Sequence, residues 1–391
     1  MIESILDNDL YQLTMQQAVH TLYPRAQVEY VFINRNRDKT KFPEGFAEKV
    51  RQQIELMAKL RLTPDEKAYL ATVCYFLTPV YLDYLASYQF NPNEVEVSQA
   101  GGELSVSIKG PWYRTILWEI PILAIISELY YVMTHAEPVS RAKRHKTNLH
   151  KAKVLAANGI NYADFGTRRR FSSGSHKTLI TDLLNEENTT LIGTSNVQLA
   201  RHFNIKPIGT LAHEWFMFHA VLQGYQQANP AGINAWVNVY QGDLCLALTD
   251  TFTTKLFLST FDTMYAKLFD GVRHDSGDPI AFVDTIISHY QKHHIDPLTK
   301  TIVFSDSLDI EKAVWIHNYC KGKIKDSYGI GTNLTNDVGV TPLNIVIKLS
   351  KCRINAGKDW HSTIKLSDDP GKYTGDREEI EYCKGLLKRG E

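Results

Sequence analysis

The sequence predicts an α/β protein in which an N-terminal α+β domain is joined to an irregular α/β barrel, and three observations carry that reading. Amphipathic helix patterns and a hairpin pattern share the first third. From about Arg141, short apolar runs alternate with helix-length segments, and nearly every run stops at a cluster of polar residues. The expected boundaries are 1–140 for the N-terminal domain, completed by 351–391, and 141–350 for the barrel.

Between Glu44 and Leu60 the apolar residues Phe46, Val50, Ile54 and Met57 recur every three or four positions, so one stripe of a helix is buried. In "LTPDEKAYL" a second helix starts, with Thr63 as N-cap, Pro64 at the first helical position and Glu66 closing a capping box. "EVEVSQAGGELSVSIKG" places Val95 and Val97, then Leu104, Val106 and Ile108, on alternate positions around a Gly-Gly turn, as a hairpin with one buried face does.

The later runs end in "NYADFGTRRR", "TLIGTSN", "KPIGTLAHE", "LCLALTD", "FDGVRHDSGD", "TIVFSDSLD", "DSYGIGTNLTND" and "NIVIKLS". A strand covered on both faces reads as an apolar run, and an α/β barrel keeps its chemistry at the C-terminal ends of such strands. Seven of the eight end in candidate catalytic groups. The basic stretch "SRAKRHKTNLHKAK" reads as a solvated helix face.

Composition narrows the function. At 391 residues the chain has room for roughly two to three domains of about 150 residues, and 43% hydrophobic content supplies a large core. Lys+Arg 43 balances Asp+Glu 43, so no overall field draws nucleic acid or an anionic membrane, and an anionic ligand must be held by local groups. "MIESILDNDLYQ" lacks the basic and apolar regions of a signal peptide, and Ser127 and Glu128 break the longest apolar stretch well short of the roughly 20 residues that span a bilayer. Five scattered cysteines without a C-x-x-C spacing read as reduced core thiols in a cytosolic protein.

"GTLAHEWFMFH" poses the sharpest question, because His213 could be a metal ligand, a general base or something rarer. A zinc protease helix needs a second histidine four residues on, and Met217 stands there. No G-x-S-x-G elbow supports a serine hydrolase. The other strand ends supply context. The glycines of "GIGTNL" let backbone N–H groups converge on an anion, although glycines also make plain turns. "FSDSLD" offers both Asp306 and Asp309 to sugar hydroxyls, with helix capping as the alternative role for Asp309 or Ser307. "GVRHDSGDP" sets Arg273 and Asp275 on one side of a strand, and "DFGTRRRFS" crowds three arginines against an aromatic ring. A phosphorylated sugar and a flat anion are the implied ligands.

"LDNDLYQLTMQQA", "GPWYRTILWEIPILAIISE", "DFGTRRRFS", "GTSN", "GTLAHEWF", "RHDSGDP", "FSDSLD" and "GIGTNLTND" resemble, in order from Leu6 to Gly371, the nicotinate phosphoribosyltransferase family, the first enzymes of NAD salvage from nicotinic acid. The resemblance implies homodimers with active sites at the subunit interface. It implies that Tyr11, from the other subunit, and Phe165 sandwich the pyridine ring, with Ser195 and Thr210 in the same pocket. Arg168 and Arg273 then bind the carboxylate and phosphates, and Arg168 ranks ahead of Arg169 and Arg170 for the carboxylate. Asp250 and Asp275 lie near the diphosphate and its Mg2+, Asp306 takes the ribose hydroxyls, and Gly329, Gly331 and Thr332 cradle the 5-phosphate of 5-phosphoribosyl 1-diphosphate. His213 matches the histidine that ATP, a co-substrate, phosphorylates. No base is needed, because the pyridine nitrogen is itself the nucleophile.

Two rivals differ in class. An enzyme acting on nicotinamide or quinolinate would share the barrel and arginines, and Ser195 separates them: similar nicotinamide enzymes carry aspartate there, whereas serine can donate to a carboxylate or cap the helix that follows. A module that only senses sugar phosphates would lack His213 or the paired acids, and both are present.

Overall fold

The computed structural model describes residues 1–389 and contains two sheets. Its strands are β1 (Gln27–Asn34), β2 (Val95–Ala100), β3 (Glu103–Pro111), β4 (Tyr162–Asp164), β5 (Leu191–Thr194), β6 (Leu246–Leu248), β7 (Gly271–His274), β8 (Thr301–Phe304), β9 (Lys325–Ile330), β10 (Ile345–Arg353) and β11 (His361–Ser362).

An antiparallel sheet, in the order β11-β10-β1-β3-β2, forms the first domain. The hairpin expected around Gly101 and Gly102 is β2–β3, with Val97 opposite Val106. The helix expected near Glu44–Leu60 runs Phe46–Met57 and buries Phe46, Val50, Ile54 and Met57. Thr63 and Glu66 close their capping box on helix Pro64–Val73. Behind this sheet, Trp112–Met133 is long and apolar enough to cross a bilayer, but 72% of its apolar window is buried inside the fold, so protein already covers it.

A parallel sheet, in the order β5-β4-β9-β8-β7-β6, forms the second domain. Six of the eight apolar runs are its strands, and two are not. "KPIGTLAHE" touches the sheet at a single bridge between Pro207 and Thr194. Proline has no N–H to give, so the pairing uses the Lys206 carbonyl and the Ile208 N–H on either side of it. "NIVIKLS" is β10, antiparallel to β1 in the other sheet. Its half-buried Lys348 and Ser350 alternate with buried Ile347 and Leu349, the period of a strand covered on one face, which a central barrel strand lacks. The chain therefore rejoins the first domain at Ile345, and the segment after β11 crosses once more to the second.

The basic helix Arg141–Ala157 also departs from expectation. Lys143, Lys146 and Lys153 are exposed, but Arg141, His145 and Asn148 converge on buried Asp182 at 2.6, 2.8 and 2.9 Å. All five cysteines are buried and unpaired, and burial pushes each thiol up to about 12.

Candidate active site

The parallel strands deliver candidate site residues to one end of the sheet: Phe165 after β4, Ser195 after β5, Asp250 after β6, Asp275 after β7, Asp306 after β8 and Gly331 after β9. His213 comes from the irregular segment instead, as the first residue of helix His213–Gln223.

Around His213 the geometry is tight. Its Nδ1 lies 3.0 Å from the Thr251 hydroxyl, and its Nε2 lies 2.9 Å from Oδ2 of Asp275 and 2.8 Å from Nζ of Lys365. One nitrogen cannot accept from an ammonium and donate to a carboxylate at once, so these contacts belong to two different neutral tautomers. In one, Nδ1–H donates to Thr251 and Nε2 accepts from Lys365. In the other, Nε2–H donates to Asp275 and Thr251 donates to Nδ1. Burial, reinforced by the Lys365 charge, pushes the imidazole down to about 4, so the ring is neutral at physiological pH.

Asp250 is almost wholly buried, accepts from Ser276 at 2.6 Å and pairs with Lys365 at 3.1 Å, while its Oδ1 has no hydrogen-bond partner. Asp275 accepts from Ser305 at 2.7 Å and faces Arg273 at 3.6 Å. Burial opposes both charges, yet His213 and Lys365 beside Asp250, and Arg273 and His213 beside Asp275, hold these carboxyls below their usual range. Ligand atoms of His213, Asp250 and Asp275 all lie within 4.8 Å of one another. Hard carboxylate oxygens, one of them unsatisfied, fit a magnesium ion.

The three arginines separate. Arg170 is buried and locked to Asp7 by two bonds of 2.7 Å. Arg169 reaches Asn344 at 3.4 Å, and burial beside Arg168 and Arg35 pushes it down to about 10. Arg168 lies 3.7 Å from Glu119; burial opposes its charge, but Tyr11, Glu119, Asp9 and Asp275 hold it firmly protonated. Glu119 also accepts from Tyr11 at 2.9 Å and Gln12 at 2.8 Å. Within one chain, Glu119 thus links Tyr11 to Arg168.

Two glycines are set by close approach. A Cβ at Gly329 would sit 2.3 Å from the Phe165 ring, so bare backbone forms the underside of that aromatic platform. A Cβ at Gly209 would sit 2.8 Å from the Tyr11 nitrogen, so the N-terminal segment can cross there.

Ser195 is buried and donates to Oδ1 of Asp9 at 2.7 Å. The following helix, Val197–Phe203, is capped by Asn196, whose side chain accepts from the Leu199 N–H, so the capping role belongs to Asn196. Thr210 accepts from Arg273 at 2.6 Å. Asp306 pairs with Lys372 at 2.5 Å, while Asp309 caps helix Ile310–Cys320 as its alternative reading expected.

Sequence reasoning missed the segment Lys365–Lys372. Lys365 meets His213 and Asp250, Asp368 accepts from the Thr254 N–H at 2.8 Å, and Lys372 covers Asp306. "KLSDDPGK" reads as an exposed turn, and its partners are distant in sequence.

The profile of the nicotinate phosphoribosyltransferase (NAPRTase) family matches residues 160–391, and that of the family's N-terminal domain matches residues 6–127. A nicotinate phosphoribosyltransferase of Desulforapulum autotrophicum is 66% identical over 390 residues, covering 100% of both chains. One from Chromohalobacter salexigens is 47% identical, covering 99% of this chain and 98% of its own. The crystal structure of a Porphyromonas gingivalis nicotinate phosphoribosyltransferase superposes with a TM-score of 0.96 at 46% identity, covering 99% of this chain and 100% of that one.

Proposed function

Because the chain belongs to the nicotinate phosphoribosyltransferase family, we propose that it converts nicotinate and 5-phosphoribosyl 1-diphosphate to nicotinate mononucleotide and diphosphate, with ATP driving the reaction through phosphorylation of His213. The reaction opens NAD biosynthesis from nicotinate in the salvage pathway. The observation that carries the phosphohistidine reading is the state of His213: a neutral ring at a helix N-terminus with a lysine against one nitrogen.

In the tautomer with Nδ1–H on Thr251, the Nε2 lone pair attacks the γ-phosphorus of ATP. The N–P bond forms, the bond to the bridging oxygen breaks, and ADP leaves with the electron pair. No proton need depart first. Lys365 must release Nε2 for this attack, which frees its ammonium to pair with the transferred phosphoryl group. The first turn of helix His213–Gln223 favours the same negative charge. Each 1.4 kcal/mol by which the phosphohistidine couples to the sugar site multiplies the equilibrium for nucleotide formation about tenfold.

In the transfer itself the pyridine nitrogen attacks an oxocarbenium-like anomeric carbon, so positioning and stabilisation of departing diphosphate do the work. Arg168 is assigned the nicotinate carboxylate, since Arg170 is consumed by Asp7. Phe165 and Tyr11 hold the ring, with Ser195 and Thr210 beside it. Arg273 faces the phosphates, Asp306 the ribose hydroxyls, and Gly329, Gly331 and Thr332 the 5-phosphate. Asp250 and Asp275 would hold Mg2+, whose charge offsets that of the diphosphate. A cytosolic homodimer with shared active sites belongs to the same reading; buried, unpaired cysteines support the compartment, and the dimer rests on the family resemblance.

The test is nucleotide formation with and without γ-labelled ATP. His213→Asn should carry no acid-labile label and show no nicotinate-dependent ATP hydrolysis, yet retain slow ATP-independent transfer. Undiminished ATP hydrolysis in that variant would sink the assignment.

A further inference from the structure

One lysine of the basic helix Arg141–Ala157 is neither solvated nor bound to Asp182. Lys151 is 5% exposed; its Nζ donates to the Asn333 carbonyl at 2.5 Å and pairs with Asp337 at 2.6 Å. Burial pushes the ammonium below its usual range, and Asp337 opposes that shift. An ammonium out of water costs free energy unless it is paired, whereas an apolar side chain would fill the same space without that penalty. What the lysine adds is a tether.

Both bonds go to the segment directly after Gly331. From the other side, Thr335 donates to the Gly166 carbonyl at 2.9 Å and Asn336 to the Arg169 carbonyl at 2.8 Å. The segment Thr332–Asp337 is therefore pinned between the basic helix and the turn that carries Arg168. A cradle made of backbone N–H groups has no side chain with which to adjust, so its accuracy depends on how the flanking segment is held.

We propose that Lys151 is a positioning residue for the 5-phosphate of the sugar substrate, an inference that rests on reading Gly329, Gly331 and Thr332 as the phosphate cradle. Cutting the tether lets the turn at Asn333 shift, and the loss falls on phosphate binding rather than on the reacting atoms.

Steady-state kinetics of the full-length enzyme test this. Lys151→Met should raise KM for 5-phosphoribosyl 1-diphosphate about tenfold while kcat and KM for nicotinate stay within about twofold, and Lys151→Arg should recover most of the loss. Asp337→Ala, at a half-exposed position that folding tolerates, should raise the same KM about threefold and keeps the test open should Lys151→Met not fold. Gly331→Val perturbs the cradle directly, since even a Cβ there lies 3.2 Å from the Phe165 carbonyl oxygen. If it raises that KM while the Lys151 and Asp337 variants keep the parental value, the tether is overturned and the cradle stands. If Gly331→Val leaves the KM unchanged, the cradle reading fails. Equal losses in kcat and in both KM values would reduce Lys151 to a general structural part and overturn its assignment.

Discussion

Nζ of Lys365 stands 2.8 Å from Nε2 of His213, so an ammonium caps the nitrogen assigned to carry the phosphoryl group. The same ammonium reaches Asp250 at 3.1 Å, which makes it the hinge of the local charge balance.

Lys365→Met should lower ATP-dependent phosphorylation of His213 by about 2 kcal/mol, roughly thirtyfold, the scale of a charge-assisted hydrogen bond. Lys365 is one of the groups that depress the imidazole, so its removal should also move the His213 titration upward from about 4, followed by NMR. Lost phosphorylation with an unmoved titration would exclude the electrostatic role.

Ser195→Asp would set a second carboxylate against Asp9, which already accepts from Ser195 and Thr167 at 2.7 Å and whose carboxyl burial pushes upward. Stability should fall by about 2 kcal/mol or more, as for a buried charge left badly paired. Adding Asp9→Asn should restore more than half of it. Urea unfolding of the four members of this cycle measures the coupling, and strict additivity would exclude a direct contact. Only in the double variant does a change in preference between nicotinate and nicotinamide report on Ser195 itself.

Tyr11→Phe keeps the ring but loses the bond to Glu119, so KM for nicotinate should rise about threefold, as for one modest hydrogen bond, and Tyr11→Ala should cost well over tenfold. If the active sites are shared, mixing Tyr11→Ala with Arg273→Ala protomers should restore part of the activity through hybrid dimers. No recovery after demonstrated subunit exchange would assign Tyr11 to the pocket of its own chain.

His219, wholly buried, has Nδ1 2.6 Å from the Trp215 carbonyl and Nε2 2.8 Å from the Tyr23 hydroxyl. Burial pushes it down to about 4 from 6.5. A base depressed in the folded state gives stability that is present above the unfolded pKa and lost as pH falls through the folded one. Denaturant unfolding at pH 7 and pH 4 should therefore show up to about 3 kcal/mol of acid destabilisation assignable to this ring, and His219→Gln should flatten that part of the profile. An unchanged slope in the variant would place the acid sensitivity in other groups.

Local chemistry made much of the fold legible. The capping box at Thr63 and Glu66 and the hairpin at Gly101 and Gly102 each rest on neighbouring residues, and six apolar runs did become parallel strands. Partner choice was not legible. The apolar run at Ile345 announces a strand, but its sheet is decided by pairing with β1, more than 300 residues earlier. Likewise Ser195 and Asn196 are both good helix caps, and backbone conformation after β5 decides that Asn196 caps while Ser195 turns to Asp9. Lys365 and Lys372 escaped notice because nothing around "KLSDDPGK" marks its partners as Asp250 and Asp306.

The pairing of β1 between β3 and β10 also bears on how the protein is made. Gln27 lies opposite Pro111 on one side and Arg353 on the other. During synthesis β1 can gain its first neighbour early, but its second edge stays open until almost the whole barrel has been translated. For that interval an unpaired strand edge is available to other nascent chains. Lys365, which follows β11, reaches His213 only later still, so a chain that stops between β11 and Lys365 would hold its parallel sheet and yet lack the ammonium beside His213.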